Sequence, residues 1–251
     1  MRVLVFDTET TGLPETKLIN PDILHKWPHI VQFSYVIYDT EKIDIMDVRD
    51  YIIKLPKSVV ISEVVSNIHG ITNDISEKLG FKLVEVLKEF FYYLKTCDIL
   101  VGHNISFDIN MLKVELLRLI YNDVSKTTSV RVKNHKKNLH FLNNYANVYC
   151  TLRESIQLCN IEMLDKFGKK FLKFPKLIEL HKKLFGFEPK NLHNSLVDIL
   201  ITLKCFVKMN YDIDLEETCD KFKRIIQKYI EIDLDETCDT YKRIFKKSVI
   251  L

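Results

Sequence analysis

The chain lacks the features by which membrane, secreted and zinc-binding proteins are recognised. No apolar run reaches the roughly 18 residues of a membrane-spanning helix, so we predict no contact with a membrane. The N-terminal apolar stretch meets Asp7 too early to form the core of a signal peptide. The 6 cysteines include no CxxC pair and no Cys/His spacing typical of zinc, so we expect reduced, mostly buried thiols. These absences predict an intracellular protein and leave its compartment open.

The composition is that of an ordinary globular domain, but the charge is unevenly distributed. The 251 residues are 47% hydrophobic and 28% charged, which suits one domain of catalytic size, with or without an appendage. The net charge is +3, yet residues 121–190 hold 14 Lys and Arg against 6 Asp and Glu. Periodicity is lost at residues 121–140, where we predict a mobile basic loop or insertion. Such a segment could hold a nucleic-acid backbone, and a simple solvated loop is the alternative.

Two acidic residues follow a short apolar run near the N-terminus. The stretch VLVFDTETTGL, residues 3–13, begins like a strand buried on both faces and then places Asp7 and Glu9 two positions apart. In a strand this spacing puts both carboxylates on one face. Buried paired carboxylates need compensating charge, which a divalent cation commonly supplies. A solvent-exposed turn after the first strand explains the same residues, and this stretch alone does not decide between the two.

The patterns that follow alternate between strands and helices, which predicts an α/β protein. β-Branched and aromatic residues mark strands at residues 29–38, 48–55, 98–101 and 148–151. Helical spacing marks helices at residues 62–71, 82–96, 152–158, 175–185 and 194–209, and another after residue 104. Pro175 is expected at the first position of its helix and Gly186 just past the end. Residues 74–78 are expected to begin a short turn.

Three further residues with useful chemistry lie at or near the starts of helices. Asp108 falls in the first turns of a helix that follows a strand, where ligands bind in open α/β sheets. Asp198 lies near the start of the last long helix, and His193 precedes it by five residues. The two side chains can converge if His193 stands on the loop that leads into the helix. Taken alone, Asp198 is better explained as an acidic residue in the favourable first turns of a helix, and His193 as a loop or cap residue.

The C-terminal residues contain an internal repeat. IDLEETCDKFKRIIQK, residues 213–228, recurs as IDLDETCDTYKRIFKK, residues 232–247, with a period of 19 residues. Asp214 with Glu217, and Asp233 with Glu236, predict a capping box in each copy, and the apolar spacing predicts two similar amphipathic helices. Two copies are too few for a solenoid, so we predict that residues 210–251 dock on the main domain as a helical hairpin. Binding of a protein partner, or self-association through this tail, is the alternative.

Four motifs together resemble a known family. FDTETTGL at residues 6–13, IHGIT at 68–72, GHNISFD at 102–108 and HNSLVD at 193–198 occur in the order and spacing of the DEDDh exonucleases. Residues 1–209 therefore resemble the DnaQ-like 3′→5′ exonucleases of the ribonuclease H-like superfamily. The interval between His193 and Asp198 is that of the histidine-type branch. The resemblance implies a ribonuclease H-like mixed sheet flanked by helices, with the tail as a C-terminal helical appendage.

The resemblance also assigns roles to the acidic residues and the histidine. Asp7, Glu9, Asp108 and Asp198 would hold two Mg²⁺ or Mn²⁺ ions, which in such sites lie about 3.5–4 Å apart and supply water activation and charge neutralisation. Asp7 would bridge both ions, with Glu9 and Asp198 at the ion that activates water and Asp108 at the other. His193 would act as the general base, because histidine exchanges protons near neutral pH.

A further set of residues would surround the 3′-terminal nucleotide: Thr10, Leu13, Ile68, His69, Asn104 and Phe107. For His69, a role as the turn residue that ends a helix is an equally good explanation. The implied activity is metal-dependent 3′→5′ hydrolysis that releases nucleoside 5′-monophosphates, in proofreading, repair or end trimming. DNA is favoured because the family so often serves replication and repair. RNA 3′-end trimming is one alternative, since motifs do not reveal contacts to the 2′-OH. A catalytically silent nucleic-acid-binding scaffold is another, and the presence of all five catalytic residue types argues against it.

Overall fold

A five-stranded mixed sheet forms the centre of the computed structural model, which describes residues 1–121 and 130–230. Its strands are β1 (Arg2–Thr10), β2 (Ile30–Asp39), β3 (Asp44–Ile52), β4 (Ile99–Gly102) and β5 (Val148–Cys150). The spatial order is β3-β2-β1-β4-β5, in which β1 is antiparallel to β2 and parallel to β4. A separate antiparallel hairpin consists of β6 (Glu162–Leu164) and β7 (Lys170–Leu172).

Helices cover both faces of this sheet. They are α1 (Glu63–His69), α2 (Asn73–Leu79), α3 (Leu83–Leu94), α4 (Ile105–Tyr121), α5 (Val130–Asn143), α6 (Thr151–Glu154), α7 (Ile156–Cys159), α8 (Leu177–Phe185), α9 (Ser195–Tyr211), α10 (Leu215–Thr218) and α11 (Asp220–Ile230), with a 3₁₀ helix at Pro21–Lys26. The predicted mixed sheet flanked by helices is thus confirmed. None of the helices among the described residues combines the length and the apolar composition needed to cross a membrane.

Strand β1 is apolar on both faces because it lies in the middle of the sheet. Val3 and Val5 pack into the core on one side, which α8 and α9 cover. Leu4 and Phe6 pack into the core on the other side, against α3 and α4. A strand that is covered on both faces has a continuous apolar sequence, and β1 is apolar from Val3 to Phe6.

The basic segment is only partly as predicted. The expectation of a mobile loop over residues 121–140 is wrong for the part that the structure describes, because residues from 130 onward form the helix α5, Val130–Asn143. Only Val132 and Leu142 of this helix are buried, so its apolar stripe is too short to produce the periodicity that predicts a helix. Its basic residues lie mostly on the exposed surface.

Two local predictions are also wrong. The short turn expected at residues 74–78 is the helix α2, Asn73–Leu79, which Thr72 caps by accepting a hydrogen bond from the Ile75 amide at 3.2 Å. Pro175 does not open α8, because the N-cap of that helix is Lys176 and its first residue is Leu177. Gly186 ends α8 as predicted, with a left-handed φ of 84° that glycine adopts without strain.

The first copy of the C-terminal repeat packs into the main core. Leu215, Cys219, Phe222 and Ile226 are all buried in the same cluster as α9. The copy is two helices and not the predicted single one, because Cys219 adopts an extended conformation between α10 and α11. Asp214 caps α10 through the Glu216 amide at 2.9 Å. The second copy, residues 232–247 with its predicted capping box, lies outside the described residues.

Candidate active site

Two carboxylates occupy the end of β1, on the face that packs against α9. In the register of the sheet, Asp7 lies opposite Ser34 and Glu9 lies opposite Gln32 on β2. The strand continues to Thr10, so Asp7 and Glu9 are both strand residues on one face, as their spacing predicted. The residues of β2 that lie opposite the two carboxylates are therefore polar, whereas those opposite the earlier part of β1 are mostly apolar.

Helix α9 adds a third carboxylate. Asp198 lies in the first turn of α9, and carboxylate oxygens of Asp7, Glu9 and Asp198 all lie within 4.8 Å of one another. One oxygen of Asp198, Oδ2, accepts a hydrogen bond from the His193 amide at 3.2 Å. The other oxygen, Oδ1, is buried and has no hydrogen-bond partner among the described residues. The structure therefore brings three of the four predicted acidic residues into one compact group.

The fourth acidic residue, Asp108, is held in place by the neighbouring strand. Both the amide and the hydroxyl of Thr8 donate hydrogen bonds to Oδ1 of Asp108, at 3.0 and 2.7 Å. Asp108 is 3% exposed and lies close enough to Asp7 for the two charges to repel each other. Thr8, between Asp7 and Glu9, thus fixes the start of α4 against β1. The sequence analysis did not single out Thr8, and its place between two acids was the available signal.

Burial and mutual repulsion disfavour charge on all four carboxylates. Burial raises the pKa of Asp7 from 3.8 to about 7. The pKa of Glu9 rises to about 9, through burial first and then through the charges of Asp7, Asp198 and Asp108. Burial, followed by the charge of Asp7, also raises the pKa of Asp108 and of Asp198. No Lys or Arg of the described chain acts against these increases in pKa.

His193 stands on the loop that leads into α9, where the sequence analysis placed it. The residue is exposed and has a left-handed backbone with φ of 71°, which is uncommon for a residue other than glycine. Its amide contact to Asp198 ties this loop to the carboxylate group. Asn194, the N-cap of α9, accepts a hydrogen bond from the Leu196 amide at 3.1 Å and fixes the direction of the helix.

A buried polar network on β2 and β3 anchors the start of α9, and the sequence analysis missed it. Asp50 Oδ1 accepts hydrogen bonds from Ser34 Oγ at 2.6 Å and from Gln32 Nε2 at 2.9 Å. Gln32 Nε2 also donates a hydrogen bond to Asn194 Oδ1 at 3.3 Å. Gln32 Oε1 accepts one from the backbone amide of Ser195, also at 3.3 Å. The hydroxyl oxygens of Ser34 and Ser195 lie 2.5 Å apart. Gln32 and Ser34 alternate within an otherwise apolar strand, and that pattern was the available signal.

The C-terminal repeat holds the loop before α9 from the other side. Asn191, which also has a left-handed backbone with φ of 57°, donates a hydrogen bond from Nδ2 to the Tyr229 carbonyl of α11 at 3.2 Å. Tyr229 itself is 6% exposed. In this loop, Asn191 is therefore fixed to α11 through its side chain, and His193 is fixed to Asp198 through its backbone amide.

The residues predicted to surround a nucleotide are only partly brought together. Thr10 and His69 meet, since the His69 ring forms a hydrogen bond with the Thr10 backbone. The ring also accepts a hydrogen bond at Nδ1 from the Ile71 amide at 3.0 Å, so the alternative role of His69 as a turn residue is present as well. The Thr10 hydroxyl donates to the Gly12 carbonyl at 2.7 Å and shapes the exit from β1.

The other predicted nucleotide contacts remain individual surface features. Leu13 is 84% exposed and Ile68 is 53% exposed, so both side chains are open to solvent. Asn104 is exposed with a left-handed φ of 62°, while Phe107 packs partly against the core beneath α4. A cavity of about 650 Å³ borders Leu13, but no acidic residue of the carboxylate group lines it.

The chemistry of the carboxylate group fits a divalent cation. It offers several oxygen ligands, one of them buried without a partner, and no Lys or Arg in residues 1–121 or 130–230 acts on its pKa values to balance its charge. Hard cations such as Mg²⁺ and Mn²⁺ prefer such ligands and remove the cost of burying like charges together. The residues that could hold a cation are therefore Asp7, Glu9 and Asp198, with Asp108 beside them.

Several known proteins are similar to this chain in sequence or in fold. The family model RNase_T, described as exonuclease, matches residues 4–206. DNA polymerase III subunit epsilon of Buchnera aphidicola is 24% identical over 240 residues, which cover 90% of this chain and 84% of that protein. E. coli exonuclease I in complex with a 5cy-dT13 oligonucleotide has a TM-score of 0.53 at 16% identity, over 84% of this chain and 41% of that one.

Exonuclease I from Methylocaldum szegediense is similar to the same degree, with a TM-score of 0.53 at 17% identity over 86% of this chain and 42% of that one. This chain therefore spans about two fifths of the length of the exonuclease I chains that it matches. At these identities the structural likeness shows the fold alone, and it confirms the predicted ribonuclease H-like α/β architecture.

Proposed function

The chain belongs to the RNase_T exonuclease family, the DnaQ-like 3′→5′ exonucleases, and on that premise we propose that it hydrolyses nucleic acid from the 3′ end and releases nucleoside 5′-monophosphates. The observation that carries the proposal is the meeting of Asp7, Glu9 and Asp198, whose oxygens lie within 4.8 Å of one another. These residues come from β1 and α9, so the group forms only in the folded chain. Membership of the family indicates the class of reaction, and the carboxylate group is the site at which we propose that it takes place.

We assign the four carboxylates to two divalent cations, Mg²⁺ or Mn²⁺. Asp7 would contact both, Glu9 and Asp198 one, and Asp108 the other, which agrees with the position of Asp108 beside Asp7 and outside the compact group. When bound, the ions supply neutralisation of phosphoryl charge, activation of water and stabilisation of the leaving oxygen. The Thr8 hydrogen bonds orient Asp108, and the His193 amide orients Asp198.

His193 is the proposed general base. Its ring is on an exposed loop, so it can reach both solvent and a substrate bound over the carboxylate group. The neutral imidazole would accept the proton of the attacking water and return it to solvent. The contacts of Asn191 to α11 and of Asn194 to Gln32 hold the loop on both sides of His193, which limits the orientations that the ring can sample.

The remaining predicted residues are proposed to bind the 3′-terminal nucleotide. Leu13 and Ile68 present exposed apolar surface on which a base or sugar could pack, and the adjoining Thr10 and His69 would contribute polar groups. Asn104 and Phe107 belong to the turn and first helical residues before Asp108. The exposed basic residues of α5 are candidates to hold the nucleic-acid backbone, which would make binding depend strongly on salt.

DNA is the substrate that we favour over RNA. The support is that two similar proteins are a subunit of DNA polymerase III and an exonuclease I bound to a 5cy-dT13 oligonucleotide. Proofreading, repair and end trimming are the corresponding roles. A partner-binding role is proposed only for residues 231–251, because the apolar residues of the first repeat copy are already buried in the core.

The test is a comparison of labelled substrates under two metals. Purified chain is incubated with Mg²⁺ or Mn²⁺ and 5′-labelled single-stranded DNA, RNA or mismatched duplex, and the products are resolved by length. We expect stepwise shortening from the 3′ end of DNA, loss of at least about 1,000-fold in rate for Asp7→Asn, and no change for the exposed control Glu85→Gln.

The outcomes separate the alternatives. Faster shortening of RNA than of DNA would move the assignment to an exoribonuclease. A folded protein that binds these substrates but shortens none of them under either metal would contradict the enzyme assignment and favour a silent nucleic-acid-binding scaffold.

A further inference from the structure

The hairpin β6–β7 and the residues that follow it carry an unusual amount of exposed apolar surface. We define the aromatic hairpin as residues 162–174. Its exposed large side chains are Met163 at 47%, Leu164 at 62%, Phe167 at 82%, Phe171 at 45% and Phe174 at 59%. Single exposed apolar residues are normal on a protein surface, but a contiguous group of them indicates a binding site.

The tip of the aromatic hairpin is held in a defined shape. Asp165 Oδ1 accepts hydrogen bonds from the Phe167 amide at 2.8 Å and from the Lys169 amide at 2.9 Å. Gly168 supplies the left-handed φ of 79° that closes the turn. Met163 and Phe171 are directly paired across the two strands, so they share one face. The aromatic surface is therefore presented by an ordered turn and a registered strand pair.

Lysines alternate with the aromatic residues along this segment. Residues 162–176 contain 5 Lys against 1 Glu and 1 Asp, a local charge of +3. Lys166 Nζ lies 5.0 Å from the centre of the Phe167 ring, and Lys170 pairs with Glu162 at 2.8 Å. Exposed aromatic rings among cations are the combination with which proteins bind single-stranded nucleic acid, where bases stack on the rings and cations contact the phosphates.

The base of the aromatic hairpin is fixed to the edge of the sheet at which the carboxylates lie. The His103 ring contacts the Pro175 carbonyl through Nε2 at 3.1 Å and Thr151 Oγ1 through Nδ1 at 3.0 Å. His103 directly follows β4, which runs parallel to β1, so the ends of the two strands lie at the same edge. Glu9 and Asp108 are at this edge too.

We propose that the aromatic hairpin is a stacking platform for single-stranded nucleic acid, holding nucleotides on the 5′ side of the one at the carboxylate group. This inference rests on the proposed exonuclease function and extends it to the choice of substrate, since a flexible single strand can stack on the rings and a paired end cannot. A second copy of the chain is a poorer occupant, because a symmetric contact would bring the same lysines together.

The test removes the rings and compares long with short substrates. Phe167→Ser combined with Phe171→Ser is compared with Tyr92→Ser, a control that removes an aromatic side chain 68% exposed on α3. Binding of a fluorescent dT20 and of dT3 is measured by anisotropy in EDTA, where hydrolysis cannot occur. The values of kcat and KM on both oligonucleotides are then measured with Mg²⁺.

We expect the double variant to raise the Kd and KM for dT20 by about tenfold or more, since two stacking contacts are lost, and to leave dT3 within about twofold. Both variants should keep the thermal stability of the wild type, because the removed rings are exposed. Lys166→Gln with Lys169→Gln should lower the slope of log Kd against log salt for dT20 by about 1.4, at about 0.7 for each lost phosphate contact.

Several results would overturn the platform. They are an unchanged affinity of the double variant for dT20, an equal loss for dT3, or the same loss in Tyr92→Ser. A wild-type dimer that the double variant abolishes would assign the surface to a second copy. The proposed function fails in a different way, when wild-type protein binds dT20 but shortens neither oligonucleotide, and a ring-dependent dT20 affinity would then still support the platform.

Discussion

Removing one negative charge from the carboxylate group should stabilise the metal-free protein. The perturbation is Asp7→Asn, which keeps the shape of the side chain and removes its charge. Burial raises the pKa of Asp7 from 3.8 to about 7. In the unfolded chain this group loses its proton near pH 4, and in the folded chain only near pH 7. Between these values the folded state binds more protons than the unfolded state, so the free energy of unfolding falls as the pH rises.

The magnitude follows from that interval. At 1.36 kcal/mol for each pKa unit, the rise from 3.8 to about 7 corresponds to a ceiling of about 4 kcal/mol. Asp7 is partly accessible to water, and solvent weakens the repulsion, so we expect a measured gain of roughly 1 to 3 kcal/mol for Asp7→Asn above pH 7. Well below pH 3.8 the wild-type carboxyl is protonated in both states and the gain should disappear, and at pH 4 only a small part of the gain should remain.

The assay is urea unfolding in EDTA at pH 4 and at pH 8, with Glu85→Gln as a control for an exposed carboxylate. Adding Mg²⁺ at pH 8 should stabilise the wild type by RT ln(1 + [Mg²⁺]/Kd), and it should not stabilise Asp7→Asn. A variant that is less stable than the wild type at pH 8 in EDTA, or equally stabilised at both pH values, would refute the electrostatic reasoning. A wild type that does not respond to Mg²⁺ would refute the cation assignment.

Two further predictions concern the contacts around α9. Asn191→Gly accepts the left-handed φ of 57° but removes the hydrogen bond to Tyr229, so we expect kcat to fall by about tenfold with unchanged KM. In a His193→Gln background the same change should have no further effect, and an equal loss there would show a general structural role. A chain that stops after Met209 should be insoluble or unfolded, because it lacks Leu215 and Phe222, which are 0% exposed in the core. A soluble, active 1–209 would contradict this account of the core.

Predictions from the sequence were correct where the signal came from a short stretch of residues. The run Val3–Phe6 with the alternating Asp7 and Glu9 predicts a buried strand with two acids on one face, because strand periodicity is set by the backbone alone. Gly186 was correctly predicted to end α8 for the same reason, since a helix-ending turn is also a local feature of the backbone. The basic helix α5 was missed because only Val132 and Leu142 of its residues are buried, so its apolar stripe is too short to mark a helix. In the repeat, the extended Cys219 breaks the helix because packing overrides the helical spacing.

The α/β class, the family and the set of chemically capable residues could be inferred from the sequence, since they follow from periodicity and from short motifs. Which of these residues come into contact depends on the tertiary structure. Asp198 joins Asp7 and Glu9 only because α9 packs on one face of β1, while Thr8, on the other face, holds Asp108. The network of Gln32, Ser34 and Asp50 also depends on strand register, which pairs residues far apart in the chain. Register and packing result from the burial of the whole core, and no single segment of the sequence contains that information.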